Sequence, residues 1–359
     1  MSVTFLNIRD KNFLDISEFV EYLSKLQSDG TNLWNIQLVP TVSTHETYGQ
    51  FVDSLTNYGF KIEEDAGKLL RVSKVHGKDV VNFYVFFDDR NHIPLFLTDA
   101  KKSDEIPDIL FNYLRKTKDL SNLWISPHIM KEIKDDLITQ HEDLIITYFS
   151  AKRSPNTRIS SHYRPNIERS IIYRGIDGKQ TLDEMEFYYG VLPKILEIRI
   201  PNELSFRIDN KGIITIKEGD ITCVFDIIER LVEHIRPLKD AIGTSGYSHT
   251  KVGKKQFERT IQTPWSVAFS SSFNESAIPN IQQDIEQDEW DFTLLEHSEI
   301  STESHFSARV IDNMSGSLFD ISIHGSGIRI YPVERTDIST YMRFFEFVLE
   351  SVDSMAVVG

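Results

Sequence analysis

Two stretches of this chain follow one plan, and the plan limits the folds open to it. Residues 204–235 read LSFRI, a turn DNKG, IITIK and then the run ITCVFDIIERLVEHI. Near the C-terminus FDISI, HGSG, IRIYP and ISTYMRFFEFVLESV repeat that order. Alternation with period 2 places apolar side chains on one face of a strand, whereas recurrence at i, i+3, i+4, i+7 places them on one stripe of a helix. Each stretch is therefore a hairpin followed by an amphipathic helix.

Superposing Gly212 on Gly327, an offset of 115 residues, places Leu204, Phe206 and Ile208 on Phe319, Ile321 and Ile323. A glycine in a short hairpin loop suits a left-handed position, which it adopts without strain. The helices align at an offset of 117. Ile221, Val224, Phe225, Ile228, Leu231, Val232 and Ile235 then fall on Ile338, Tyr341, Met342, Phe345, Val348, Leu349 and Val352, with Asp220 and Asp337 both placed to cap the first turn. A weaker copy spans 81–115, with Ile106, Ile109 and Leu110 on its helix. A further strand precedes each copy, at 69–75, 195–200 and 306–311, so the unit is strand–strand–strand–helix. Internal duplication and the commonness of hairpin-plus-helix units both account for such a pattern.

The expectation is an α+β protein of two or three sheet-plus-helix modules: 1–121, 122–240 carrying a basic loop, and 241–359 carrying an acidic loop. Helices are read at 13–27, 45–60 with Gly59 as stop, from Asp104, from Ser126-Pro127, and at 181–190. Strands are read at 33–39, ended by Pro40, and at 69–75, 79–87, 93–97, 143–151, 170–174, 265–273 and 290–296. Arg236-Pro237 is read as ending the central helix. Residues 240–263 are read as a long loop, because Gly, Ser, Thr and Lys show little periodicity there.

The chain has 359 residues, with 39 Lys and Arg against 54 Asp and Glu, giving a net charge of −15. Such a balance argues against nucleic-acid binding over the whole surface, since phosphate contacts and counterion release favour a basic protein. Its single cysteine, Cys223, excludes a disulfide within the chain and points to a reducing, cytoplasmic setting. The segment MSVTFLNIRDKNF lacks a basic stretch followed by an apolar one, so no signal peptide is expected. No window reaches the roughly 18 apolar residues of a membrane span.

Charge is segregated along the chain. Between 152 and 174, Lys152, Arg153, Arg158, Arg164, Arg169 and Arg174 face a single acid, Glu168, with His162 and Tyr163 among them. A guanidinium offers a fork of donors to phosphate or carboxylate, and interleaved aromatic rings can stack on bases. From Thr260 to Ala308 there is no Lys or Arg, while nine acids occur. The stretch HTKVGKKQFER (249–259) departs from a phosphate-binding loop in glycine spacing and in carrying Lys255 where Ser or Thr is required.

Catalytic chemistry has little support in the residues. For a metal nuclease, Asp183, Glu184 and Glu197 with Arg199 are the nearest candidates, but Glu197 and Arg199 also suit the polar face of an alternating strand. Asp88, Asp89 and His92 suit a hairpin turn, and His128 with Glu132 a helical surface pair. Zinc spacings, a nucleophile elbow and a dinucleotide fingerprint are all missing. The reading is a non-enzymatic binding or assembly protein, without cofactor or metal. It docks a protein partner or associates with itself through segregated basic and acidic surfaces. The alternative is a nucleic-acid-binding protein, or a divergent metal-dependent nuclease, that places 152–174 on phosphates.

Overall fold

The structure, a computed structural model, describes residues 5–45, 47–88, 90, 93–153, 161–164, 167–244, 246–252, 257–270, 278–286, 290–300, 305–333, 338–353 and 355–358. They form two units, one of residues 1–153 and 160–234, the other of 154–159 and 235–359.

The first unit opens with Asp15, whose carboxylate accepts the Glu18 N–H at 3.0 Å and caps α1 (Ile16–Ser28). After β1 (Gln37–Ser43), Thr47 and Gln50 cap α2 (Tyr48–Tyr58) reciprocally, and Gly59 at φ 93° ends it. An antiparallel meander follows: β2 (Lys61–Ala66), β3 (Leu69–His76), β4 (Asp79–Asp88) and β5 (Ile93–Thr98). A π-helical turn (Ile106–Phe111) runs into α3 (Asn112–Lys116), followed by β6 (Leu120–Asn122). Ser126 caps α4 (Pro127–Gln140) through its hydroxyl. Then come β7 (Ile145–Arg153), β8 (Arg169–Arg174), α5 (Gly178–Tyr189), β9 (Leu192–Ile200), β10 (Leu204–Asp209), β11 (Ile214–Gly219) and α6 (Thr222–Thr244). The residues of α6 up to His234 belong to this unit.

All eleven strands form one antiparallel sheet in the order β2-β3-β4-β5-β1-β11-β10-β9-β7-β8, with β6 beside β1. The strands of 1–121 and 122–240 thus share one sheet, joined where Gln37 pairs with both Thr98 and Thr215. Pro40 stands inside β1 rather than ending it. Pairing with β11 covers only Gln37 and Leu38, and pairing with β6 begins at Thr41, so the missing N–H of Pro40 falls in the gap. Its carbonyl accepts from the Leu123 N–H.

One face of the sheet is apolar along its length. Tyr84, Leu97, Leu38, Ile214, Ile208, Leu196 and Phe149 are successive cross-strand neighbours and all are buried. The other face is divided. Over β2–β5 and β1, Leu70, Val72, Phe83, Val85 and Phe96 share a core with Phe51 and Leu55 of α2, Ile106 of the π turn and Tyr113 of α3. Burying a Phe or Leu fully is worth roughly 1.5–3 kcal/mol. Toward β8 the row on this face becomes polar: Thr215, Arg207, Glu197, Tyr148 and Arg174.

The second unit contains the hairpin β12 (Gly246–Val252) and β13 (Phe257–Thr263), together with β14 (Trp265–Ala268), α7 (Ile278–Ile285), β15 (Phe292–Ile300), β16 (His305–Asp312), β17 (Leu318–His324), β18 (Gly327–Pro332), α8 (Ile338–Phe347) and β19 (Val357–Val358). A π-helical turn (Val348–Val352) follows α8. Its main sheet is ordered β15-β16-β17-β18-β14-β19. Phe292, Phe319 and Phe344 meet edge to face at 5.1–6.0 Å in its core.

The fold is α+β, and three strand–strand–strand–helix units are present: β3-β4-β5 with the π turn and α3, β9-β10-β11 with α6, and β16-β17-β18 with α8. The strand alignment places buried residues on buried residues, Leu204, Phe206 and Ile208 on Phe319, Ile321 and Ile323. The glycine alignment does not hold. Gly212 is left-handed at φ 79°, but Gly327 opens β18 opposite His324, and the left-handed residue of that turn is Gly325 at φ 49°. Asp337 lies outside the described residues.

Two further expectations are corrected. The central helix continues through Pro237 to Thr244; the proline ring is exposed, while the apolar stripe runs on through buried Ile235 and Leu238. Within 240–263 the chain forms the end of α6 and the β12–β13 hairpin instead of a loop. Apolar alternation is absent there, but Tyr247, Thr250, Val252, Phe257, Thr260, Ile261 and Thr263 are strand formers.

Candidate interaction surface

Chain topology places β8 at the end of the large sheet, where among the described residues it pairs with β7 on one side only. Its register with β7 runs unbroken from Tyr148↔Arg174 to Arg153↔Arg169. Strand alternation then sorts the basic island. Tyr148, Ser150 and Lys152 lie on the same face as Arg174, Ile172 and Ser170, while Phe149, Ala151 and Arg153 turn to the packed face.

Arg153 is only 3% exposed, and its Nη1 donates to the Gly190 carbonyl at 3.2 Å. Burial, reinforced by the neighbouring Arg169 charge, lowers its pKa. It ties β7 to the C-terminal cap of α5. Arg169 stacks its guanidinium 4.2 Å from the Tyr189 ring centroid, and Lys152 pairs with Glu168 at 3.1 Å. Exposed Arg164 is left-handed at φ 49°. Beside it, the Tyr163 N–H donates to the Tyr188 carbonyl, and the rings of His162 and Tyr163 rest against Phe187, Tyr188 and Tyr189. Arg158 lies outside the described residues.

The island is thus divided between a packed face and an open one. The open face gathers residues from other strands that the linear composition does not bring together. Arg207 of β10 lies 4.8 Å from the Tyr148 ring centroid and Arg174 of β8 lies 5.7 Å from it. Arg199 of β9 is exposed, and on alternation it faces the same way as Glu197. Ile172 is 72% exposed. The open face therefore carries Lys152, Arg174, Arg199 and Arg207 against Glu197 and the Glu168 partner of Lys152, in a chain whose net charge is −15. The signal for Arg199 and Arg207 is their position on the polar side of the alternating runs ILEIRI and LSFRI.

The acids considered for a metal are engaged elsewhere. Asp183 pairs with Lys134 at 2.8 Å, Glu184 accepts from Gln180, and the Glu197 carboxylate accepts from the Thr147 hydroxyl at 3.2 Å. Among the described residues, no group of three or more His, Cys, Asp or Glu side chains is arranged to hold a metal ion. His128 meets Glu132 at 3.3 Å. Asp89 and His92 lie outside the described residues, as does the 253–256 part of the lysine-rich stretch. Cys223 is half-buried on α6. Burial, with Asp220, Glu203 and Asp226 nearby, raises its pKa and disfavours the thiolate. A cleft of about 1130 Å³ lies between α1 and α6, floored by Phe86, Leu95 and Phe225 and edged by Glu21, Asp226 and Glu229. No helix among the described residues is long and apolar enough to cross a membrane.

Comparison with known proteins places these features in a family. Residues 128–211 match a model described as the AF_0896_M family middle domain. A protein of Archaeoglobus fulgidus, described as an uncharacterized protein, is 30% identical over 352 residues, covering 95% of this chain and 94% of the archaeal one. The chain belongs to the family of that archaeal protein. The middle-domain match runs from α4 to the turn after β10, so it contains the whole open end of the sheet: β8, β7, β9 and β10.

Proposed function

We propose that this family member is a non-enzymatic docking protein whose open basic face, at the β8 end of the large sheet, receives the acidic surface of a protein partner. One observation carries the reading. The sheet is packed with apolar side chains on one face along its length, while the other face at this end presents Lys152, Arg174, Arg199 and Arg207, with Ile172 72% exposed. Complementary charge steers encounter and fixes register, so a local basic excess on an acidic chain favours an acidic partner. The net charge of −15 disfavours a long phosphate backbone as the partner. The lone cysteine supports a cytoplasmic setting.

A second reading has its own support. Tyr148 between two guanidinium groups, on an open antiparallel sheet, resembles a platform on which a single-stranded base stacks. Fluorescence anisotropy with a labelled oligoglutamate peptide and a labelled oligouridine, each at low and high salt, separates the two. The docking reading expects the peptide to bind at low salt. Replacing Arg174, Arg199 and Arg207 together by Ala should weaken it about tenfold or more and flatten its salt dependence. Binding of the oligonucleotide alone would transfer the conclusion to the second reading, and binding of neither would remove both.

A further inference from the structure

We infer that the β8 edge of one molecule pairs with the β15 edge of a second copy of this chain. The inference rests on the docking reading above and names the partner.

Among the described residues, β8 and β15 are both terminal strands, each paired on one side only. An unpaired edge presents free N–H and C=O groups, and proteins usually blunt it with charge or a bulge. The opposite edge of the large sheet is blunted in this way. β2 carries Lys61, Glu63, Glu64 and Asp65, and its register shifts between Ile62 and Glu64. β8 has no bulge, and its two charges stand only at its ends. Its register is continuous, its positions from Ser170 to Tyr173 are uncharged, and Ile172 is 72% exposed. β15 has a bulge as well, between Leu294 and Glu296, but the residue it leaves out is the apolar Leu295, 51% exposed, where the β2 bulge leaves out the charged Glu63. Each edge therefore offers backbone groups and one exposed aliphatic side chain.

Charge selects which edges meet. β8 begins at Arg169 and ends at Arg174, whereas β15 lies in the stretch from Thr260 to Ala308 that has no Lys or Arg. Asp291 and Glu296 are exposed there. Arg309, across from Glu296, has its guanidinium committed to Asp320 at 2.8 and 3.2 Å. Antiparallel pairing of β8 with another β8 in full register would set Arg169 against Arg174 at both ends, and like charges directly opposite destabilise a strand pair. Two β15 edges would likewise bring acids together. Of the pairings that β8 and β15 allow, only the mixed one sets opposite charges across the seam, and it is heterologous, so each copy retains one edge for a further neighbour or for ring closure.

Sedimentation velocity over a wide concentration range tests this. The wild-type chain should associate as concentration rises, and less so at high salt. Ile172→Lys blocks the β8 edge and Leu295→Lys blocks the β15 edge; each variant alone should associate at least tenfold more weakly than wild type. Mixed in equal amounts, the two variants should form a one-to-one dimer, because one retains β15 and the other β8. That dimer would also show that both variants are folded at the edge they keep. A wild-type chain that stays monomeric, single variants that associate as wild type does, or a mixture that stays monomeric would each overturn the pairing. A monomeric chain that still binds oligoglutamate would overturn the pairing alone, and loss of both would overturn the docking reading with it.

Discussion

The ammonium of Lys134 lies 2.8 Å from the Asp183 carboxylate, although only 1% of the lysine side chain is exposed. Glu186 stands 3.0 Å away on its other side and Asp135 3.2 Å away. This group clamps α4 to α5, and α5 in turn carries Gly190, which receives Arg153. Burial pushes the Lys134 pKa down, but the charges and hydrogen bonds of Glu186 and Asp183 outweigh it, so the pKa is raised. Changing Asp183 to Asn and Glu186 to Gln together leaves the buried ammonium with only the half-exposed Asp135. A loss of roughly 3 kcal/mol is expected in urea unfolding, against about 1 kcal/mol or less for Asp183→Asn alone. Because the folded pKa is raised, the stabilisation is intact below the ordinary lysine pKa and is lost as pH rises through the folded value.

Two left-handed glycines should respond differently to alanine. At Gly325 (φ 49°) an added Cβ meets nothing within 4 Å, so Gly325→Ala costs only backbone strain, about 1–2 kcal/mol. At Gly212 (φ 79°) it would stand 2.1 Å from the Leu123 carbonyl oxygen, and backbone must move. Gly212→Ala should cost roughly 3 kcal/mol or more in the same assay. Equal losses at the two positions would refute this account of why the aligned hairpins turn differently.

That pair also shows what could be read from the sequence. Elements with a strong period or a cap were legible: α2 between Thr47 and Gly59, α4 from Ser126, and the buried alternation of β10 and β17. Strands with little apolar alternation were not. β2 (KIEEDA), β12 and β13 are held by backbone pairing that polar side chains do not announce, and α7 was hidden in an acidic stretch although Ile281 and Ile285 are buried on one side. Pro40 and Pro237 read as terminators because tertiary context, a pairing gap in one case and an exposed helix surface in the other, is invisible in one dimension. The basic island was legible as composition. Its division into structural Arg153 and Arg169 and outward Lys152 and Arg174 depended on the register with β7, and Arg199 and Arg207 joined it only through cross-strand rows.

In the second unit, Asp312 is fully buried and is bonded to the Arg343 guanidinium, the Thr340 and Ser315 hydroxyls and the Met314 N–H. It fixes the turn between β16 and β17 to α8. Asp312→Ala strands the Arg343 charge, which is mostly buried, and a loss of about 3–5 kcal/mol is expected. Trp265 and Trp290 lie in this unit and Trp34 and Trp124 in the first, so the tryptophan fluorescence change should begin at lower urea than in the wild type. An unchanged midpoint would mean that the network contributes no net stability.

Tyr84 provides an alkaline test of the first unit. Its hydroxyl donates to the Leu6 carbonyl at 2.7 Å and accepts the Leu6 N–H at 3.3 Å, holding the segment before α1 against β4. Burial pushes its pKa up to about 12, only partly offset by the bond to Leu6. The unfolded chain ionises at the ordinary tyrosine value near 10, so between pH 10 and 12 the unfolded state has released a proton that the native state retains. Stability from this group is therefore intact below pH 10 and falls toward pH 12 by about 2 kcal/mol. Tyr84→Phe removes both effects. At neutral pH it should cost roughly 1–1.5 kcal/mol, because the Leu6 groups lose their partner. As pH rises to 12 the wild-type and variant stabilities should converge and then cross, since the phenylalanine has no proton to lose. Tyr113 and Lys134, whose pKa values are also raised, are common to both proteins and cancel in the difference. Urea midpoints of the two proteins at neutral pH and through the alkaline range measure that difference, and a constant gap would show that Tyr84 does not retain its proton in the native state.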